Sequence, residues 1–213
     1  GMILADMGAD VIKVEPLHGD TTRRLVHQGA GFFATYNRNK RSLALDLKSD
    51  SGLKAAKTLC VNADIVVENL RPGALAGLGL GYGALSADNP RLIYCALKGF
   101  LDGPYAHRKA LDEVVQMMAG LAYMTGPEGR PLRAGASVTD IMGGMFGVIG
   151  IMAALREREQ TGRGQPVMTA LYETTVHMVA QHMMQYAVTG VPTGPMPDRP
   201  RAWAVYDTFE TKD

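Results

Sequence analysis

RSLALDLKSDSGLKAAKTLCVNADIVVEN, residues 41–69, is the stretch from which the fold is read. Its first nine residues alternate apolar and polar, which predicts a strand with Leu43, Leu45 and Leu47 on one face. The next fourteen open with Asp and Ser and continue with helix formers, as the start of an amphipathic helix does. DIVVEN is β-branched and short, as a second strand would be. Strand, helix, strand without an intervening hairpin turn predicts a parallel crossover.

Working outward, Val11–Glu15 reads as an earlier strand, entered from a helix end at Gly8 and stopped by Pro16. RPGALAGLGLGYGALSADNP (71–90) reads as a glycine-rich connection with room for one helical turn, and RLIYCALKG (91–99) as the next strand. Helical patterns follow over 110–120 and 142–159, then a short strand in QPVMTAL (165–171) and a Met-rich helix ending at Gly190. The expectation is an α/β, Rossmann-like open parallel sheet with helices on both faces, occupying residues 1–190. VPTGPMPDRP (191–200) begins a linker toward a further small domain, so that 191–213 forms the linker and the start of that domain. Both ends fall inside a pattern rather than at its close, and the chain is expected to be part of a larger architecture.

The 46% hydrophobic and 20% charged residues are ordinary for a globular protein, and the net charge of +1 gives no reason to expect nucleic acid or an anionic membrane as partner. Arg, Glu or glycine-rich breaks interrupt each apolar run, so no membrane span is expected. The two cysteines, Cys60 and Cys95, lie in apolar segments and read as packed thiols of a reducing, cytoplasmic compartment. His177 and His182 are five apart rather than four, and no metal site is expected. GLGLGYG (77–83) does not join a first strand to a helix, so it is not a dinucleotide fingerprint.

In parallel sheets, ligands bind outside the carboxyl ends of the strands. Those ends carry Glu15, Lys48, Asn69, Arg71 and Lys98, and the three cations favour an anionic ligand. Asp140 stands at the front of an apolar helix dotted with Gly143, Gly144, Gly147 and Gly150. Two readings are open: a helix N-cap, or a nucleophile at the lip of a buried site. Each of those glycines costs about 1 kcal/mol in a helix relative to Ala, so close approach by a backbone or a ligand is expected there.

LADMGADVIKVEP, NRNKRSLALDLKSDSG, ADIVVENLRPGALAGLGLGYGAL, NPRLIYCALKGF and TDIMGGMFGVIGIMAALREREQTGRGQ together resemble the successive signatures of family III CoA-transferases, the family of formyl-CoA transferase and crotonobetainyl-CoA:carnitine CoA-transferase. The resemblance covers the whole chain but only about the first half of a member. It implies a Rossmann-like large domain, a small domain, and two chains interlocked as a homodimer. It also implies that Asp140 attacks an acyl-CoA and carries CoA to a small carboxylic acid through aspartyl anhydride and aspartyl-CoA thioester intermediates.

The same resemblance places coenzyme A contacts at Leu45 to Lys48, at Asn69, Leu70 and Arg71, at Lys98, and from Ala110 to Glu113. Many members carry a basic residue where this chain has Gly77, which removes one expected phosphate contact. The helix start is expected to keep Asp140 ionised and to offer its N–H groups to an oxyanion. Two alternatives stand beside this reading. One is an acyl-CoA racemase of the same superfamily, although Leu111 stands where racemases place a histidine before the acid, here Asp112. The other is a non-catalytic CoA-binding or dimerising remnant.

Overall fold

The computed structural model describes residues 1–198 and 209–212. Its parallel strands are β1 (Val11–Glu15), β2 (Lys40–Ala44), β3 (Ile65–Glu68), β4 (Ile93–Lys98) and β5 (Pro166–Ala170). The helices are α1 (Met2–Asp6), α2 (Phe32–Asn37), α3 (Asp50–Val61), α4 (Tyr82–Asp88), α5 (Asp112–Met118), α6 (Leu121–Thr125), α7 (Val138–Thr161) and α8 (Leu171–Thr189). The α/β class and the parallel pairing agree with the sequence. The hydrogen-bonded ladders, however, form a two-stranded sheet, β1-β2, and a three-stranded sheet, β3-β4-β5, rather than one continuous sheet.

β4 is the hub because IYCALK has no polar residue before its last position, so both its faces can be buried. Alternate side chains then serve opposite layers. Tyr94 and Ala96 join Ala56, Leu80, Leu85 and Leu92 in a core under α3 and α4. Ile93 and Cys95 join Leu4, Ile151 and Ala154 under α1 and α7, and Val11 of β1 packs against this second core. Side-chain packing therefore links the two sheets where hydrogen bonds do not.

Two local differences from the sequence pattern have simple causes. β2 stops at Ala44, because the Asp46 carbonyl and carboxylate accept from Ser49 and Lys48 N–H groups (3.1 and 3.0 Å) and turn the chain into α3. Leu45 and Leu47 therefore leave the sheet for the α3 core, while Leu43 stays on the exposed strand. The glycine-rich connection contains a full helix, α4, which buries Leu85 completely. At Gly8 the expectation holds: with φ of 97°, its N–H and that of Ala9 bond back to Ala5 and Leu4 carbonyls, both at 3.0 Å, closing α1.

α7 has the length and apolarity to cross a membrane, with a mean hydropathy of 1.8, contrary to the expectation that every apolar run is too interrupted. One side of it packs on β5, β4 and α8, while Ile141, Met145, Ile149 and Met152 are exposed. At its far end buried Arg158 donates to the Asp64 and Arg91 carbonyls (3.3 and 3.1 Å) and pairs with the Asp64 carboxylate at 3.0 Å. The expected linker is tied down where it is described. Met196 N–H donates to Met124 O at 2.9 Å, and Glu128 N–H donates to the Asp198 carboxylate at 2.7 Å. Residues 199–208 and 213, with the end of the linker and half of the strand-and-turn pattern expected at 206–213, lie outside the described residues.

Glu15 closes the β1-β2 sheet. Its carboxylate, 3% exposed, accepts from Arg23 Nε and a terminal guanidinium nitrogen (2.9 and 2.7 Å), from Ser42 Oγ (2.6 Å) and from Asp20 N–H (2.8 Å). Arg23 also stacks over the Phe33 ring at 3.9 Å. The Arg23 guanidinium holds the Glu15 carboxyl far below its usual range, and the Lys13 ammonium, 2.6 Å from Asp20, holds Asp20 at about 2. Depressed carboxyls stabilise the fold fully above their unfolded values of about 4, and that stabilisation is lost as pH falls through the folded values. Glu15→Gln is expected to cost on the order of 2 kcal/mol at neutral pH. In urea titrations from neutral to acid pH, the variant is expected to lose stability less steeply than wild type below about pH 4.

Candidate active site

The start of α7 is built by a residue of another helix. Ser137 occupies the N-cap position but makes no capping bond; its Oγ accepts instead from Arg133 at 3.2 Å. The cap comes from Asp112, at the head of α5 and buried. Its Oδ1 accepts from Thr139 N–H (2.9 Å) and Thr139 Oγ1 (2.7 Å), with a long contact from Asp140 N–H (3.4 Å). Its Oδ2 accepts from Gln116 Nε2 (2.7 Å) and pairs with Arg133 (3.2 Å). Fully buried Gln116 continues the network by accepting Ala134 N–H at 2.8 Å, which fixes the loop leading into α7. Among the described residues the Asp112 carboxylate thus does what Asp140 would do as an N-cap, and Asp140, in the first helical turn, is released from that role.

The Asp140 carboxylate is exposed, and among the described residues no hydrogen bond or ion pair reaches it. Its pKa is raised, first by desolvation from the protein packed around the helix start, then by the Asp112 charge, with Arg133 opposing. The helix start therefore does not hold the Asp140 pKa below its ordinary value, because the positive end of α7 is already occupied by Asp112. The expected oxyanion donors are corrected. Val138 N–H donates to Ala136 O (2.8 Å), Ile141 N–H to Ser137 O (3.0 Å), and those of Thr139 and Asp140 to Asp112.

The glycines of α7 divide between two uses. A Cβ on Gly143 would lie 2.9 Å from Leu171 Cδ2, on Gly147 3.2 Å from Thr169 Cγ2, and on Gly150 2.7 Å from Val167 Cγ1. These three let α7 sit directly on β5 and the start of α8, and Thr169 Oγ1 donates to Gly143 O at 3.2 Å. Gly144 has no atom within 4 Å of its Cβ position. One turn on from Asp140, on the same side of the helix, it leaves open space beside the carboxylate.

The expected coenzyme A contacts fall into two groups. Asn69, Leu70 and Arg71 form an exposed loop after β3, and Lys98 ends β4 beside them. Lys98, Pro72 and Gly73 line a cavity of about 300 Å³ together with Tyr82, Tyr94 and Phe100. Ala110 is brought to the same strand end, where Gly99 has no room for a Cβ, which would lie 2.5 Å from Ala110 Cβ. Glu113 is exposed in the first turn of α5. Leu45 and Lys48 lie apart, at the β2–α3 turn. Leu45 lines a separate groove with Leu17 and Ser49, and Lys48 is exposed. Glu15, the other strand-end candidate, is fully engaged by Arg23 and Ser42.

Sequence reasoning left Asp112 and Gln116 without a role. The signal was present: an acid and an amide one turn apart in LDEVVQMM, on the side of a helix that must otherwise face the core. Asp112→Asn is expected to lower the Asp140 pKa by removing a like charge, and Arg133→Gln to raise it. Carbon-13 carboxyl titration by NMR reads both shifts, and equal pKa values in the two variants would contradict this electrostatic assignment.

The sequence matches CoA-transferase family III over residues 1–213. A succinate–glutarate CoA-transferase of Agrobacterium fabrum is 40% identical over 205 residues, covering 90% of this chain and 51% of that protein. An acetyl-CoA:oxalate CoA-transferase of Acetobacter aceti is 38% identical, covering 99% of this chain and 56% of that protein. The crystal structure of a CAIB/BAIF family protein from Brucella suis superposes with a TM-score of 0.87 at 39% identity, over 92% of this chain and 55% of that one. The chain thus spans about half the length of the relatives it matches.

Proposed function

The chain belongs to CoA-transferase family III, and from that premise we propose that the whole protein transfers CoA from an acyl-CoA to a small dicarboxylic acid, with Asp140 as the nucleophile. The observation that carries this reading is a carboxylate without hydrogen-bond partners among the described residues, raised in pKa and standing beside the open side of Gly144. The named relatives support the acid class, since they act on succinate, glutarate and oxalate.

In this reading the Asp140 carboxylate attacks the thioester carbonyl and CoA thiolate leaves, giving an acyl–aspartyl anhydride. The thiolate attacks the aspartyl carbonyl, releasing the donor acid and leaving an aspartyl-CoA thioester. The acceptor carboxylate attacks that thioester, again expelling thiolate, and the thiolate then takes the acyl group from the second anhydride and restores Asp140. A raised pKa makes the carboxylate a better nucleophile, and holding it against a bound thioester supplies effective molarities of about 10⁵ M or more. Because the amides of the α7 start are engaged, the oxyanion donors are assigned to groups other than that helix start.

CoA itself is assigned to the Asn69–Arg71 edge and the 300 Å³ cavity beneath it. An interlocked homodimer is supported by the exposed stripe of Ile141, Met145, Ile149 and Met152 along α7. The free thiols Cys60 and Cys95 support a reducing, cytoplasmic setting. The racemase alternative has less support, because exposed Leu111 supplies no second base.

The test is a steady-state transfer assay of the whole protein with several acyl-CoA donors and dicarboxylate acceptors. Asp140→Ala is expected to lower turnover by roughly 10⁴-fold or more, with CoA binding retained. Turnover that survives the substitution would overturn the nucleophile. Exchange of the α-proton without acid exchange would favour the racemase, and CoA binding without either reaction would favour the remnant.

A further inference from the structure

Lys98 and Glu68 together hold both backbone polar groups of one residue. In the β3–β4 register Glu68 lies opposite Ala96, so Lys98, two residues further along β4, extends on the same side beyond the end of β3. Lys98 Nζ pairs with Glu68 Oε1 and also donates to the Leu70 carbonyl at 2.9 Å. Glu68 Oε2 accepts the Leu70 N–H at 2.8 Å. Both backbone polar groups of Leu70 are thus held by the two members of one ion pair, whose side chains are only 13% and 9% exposed. The Leu70 side chain points outward, 46% exposed, and Asn69 and Arg71 on either side are exposed as well.

This arrangement is at odds with a cation waiting for phosphate. The Lys98 charge is neutralised by Glu68, and two of its three N–H donors are committed to Glu68 and the Leu70 carbonyl. Arg71, on the loop that the pair shapes, is an exposed cation at the same strand edge.

Taking the strand-end site as the CoA site, as proposed above, we propose that Lys98 and Glu68 are positioning residues. They clamp the Asn69–Arg71 loop in its ligand-binding conformation; Lys98 lines the cavity below that loop but binds no phosphate of the ligand, and the anion is met by Arg71. The two roles for Lys98 predict opposite signs for Glu68→Gln. If Lys98 were a phosphate ligand, releasing it from Glu68 and adding a net positive charge would tighten CoA binding. If the pair is a clamp, the same change loosens Leu70 and weakens binding.

The experiment is calorimetry on the whole protein with CoA and with 3′-dephospho-CoA, for wild type, Glu68→Gln, Lys98→Met and the double variant. Each single substitution is expected to weaken both ligands equally, by roughly 10-fold, and the double variant is expected to bind no worse than the weaker single. Tighter binding by Glu68→Gln, or a loss in Lys98→Met confined to the ligand with the 3′-phosphate, would overturn the proposal. Hydrogen exchange on the ligand-free proteins separates the clamp from the CoA assignment. Faster exchange at Leu70 in both variants supports the clamp even if wild type binds no CoA, in which case only the CoA assignment fails. Unchanged exchange in both overturns the clamp.

Discussion

The close seat of α7 on β5 is the constraint on which the rest of the molecule depends. A Cβ at 150 would meet Val167 at 2.7 Å, and at 143 and 147 it would crowd Leu171 and Thr169 at 2.9 and 3.2 Å, so glycine at these positions favours the close approach of the helix. Three glycines in a helix cost about 1 kcal/mol each. The cost is offset by a buried layer around Ile151, Ala154 and Cys95 and by the Arg158 anchor at the far end. With the helix held at both ends, its first turn, and with it Asp140, has a fixed place beyond the end of β5.

That first turn is then shaped by electrostatics rather than by its own sequence. An ordinary N-cap satisfies the free amides with an adjacent side chain. Here a buried carboxylate from α5 does so, and its charge sits where the helix dipole would otherwise favour an anion. The consequence is a division of labour between two acids. Asp112 is surrounded by donors and its pKa is lowered by Thr139 and Gln116 despite burial. Asp140 is left without donors among the described residues, with its pKa raised. Environments that push two neighbouring carboxyls apart in this way are a recurrent mark of a reactive site.

Much of this was legible in the residues. The strand–helix–strand order of residues 41–69, the apolar β4 and the Met-rich α8 follow from hydrophobic pattern alone, although β2 and β3 fall in separate ladders rather than in one sheet. What pattern missed was set by turn chemistry and by contacts between distant residues. The Asp46 turn pulls Leu45 and Leu47 out of a strand that alternation would have prolonged. Glycine density hid α4. The start of α7 was expected at Met142 because SVTD lacks helix formers, yet the helix begins at Val138, stabilised by an acid 27 residues upstream of Thr139. The glycine reading was right in kind but covered two causes: three positions serve the sheet and one, Gly144, faces open space. The strand-end cations were read as free, whereas Lys98 is paired across strands with Glu68, a contact that depends on register.

The most direct test of the account is to capture the acid it names. The whole protein would be incubated with an acyl-CoA and no acceptor, quenched with hydroxylamine, and digested for peptide mass spectrometry. An activated aspartyl carbonyl, whether anhydride or thioester, reacts with hydroxylamine to give an aspartyl hydroxamate. The account predicts that this modification appears on Asp140 and depends on the acyl-CoA. A hydroxamate at a different acid, or none at Asp140 while the enzyme turns over, would contradict it.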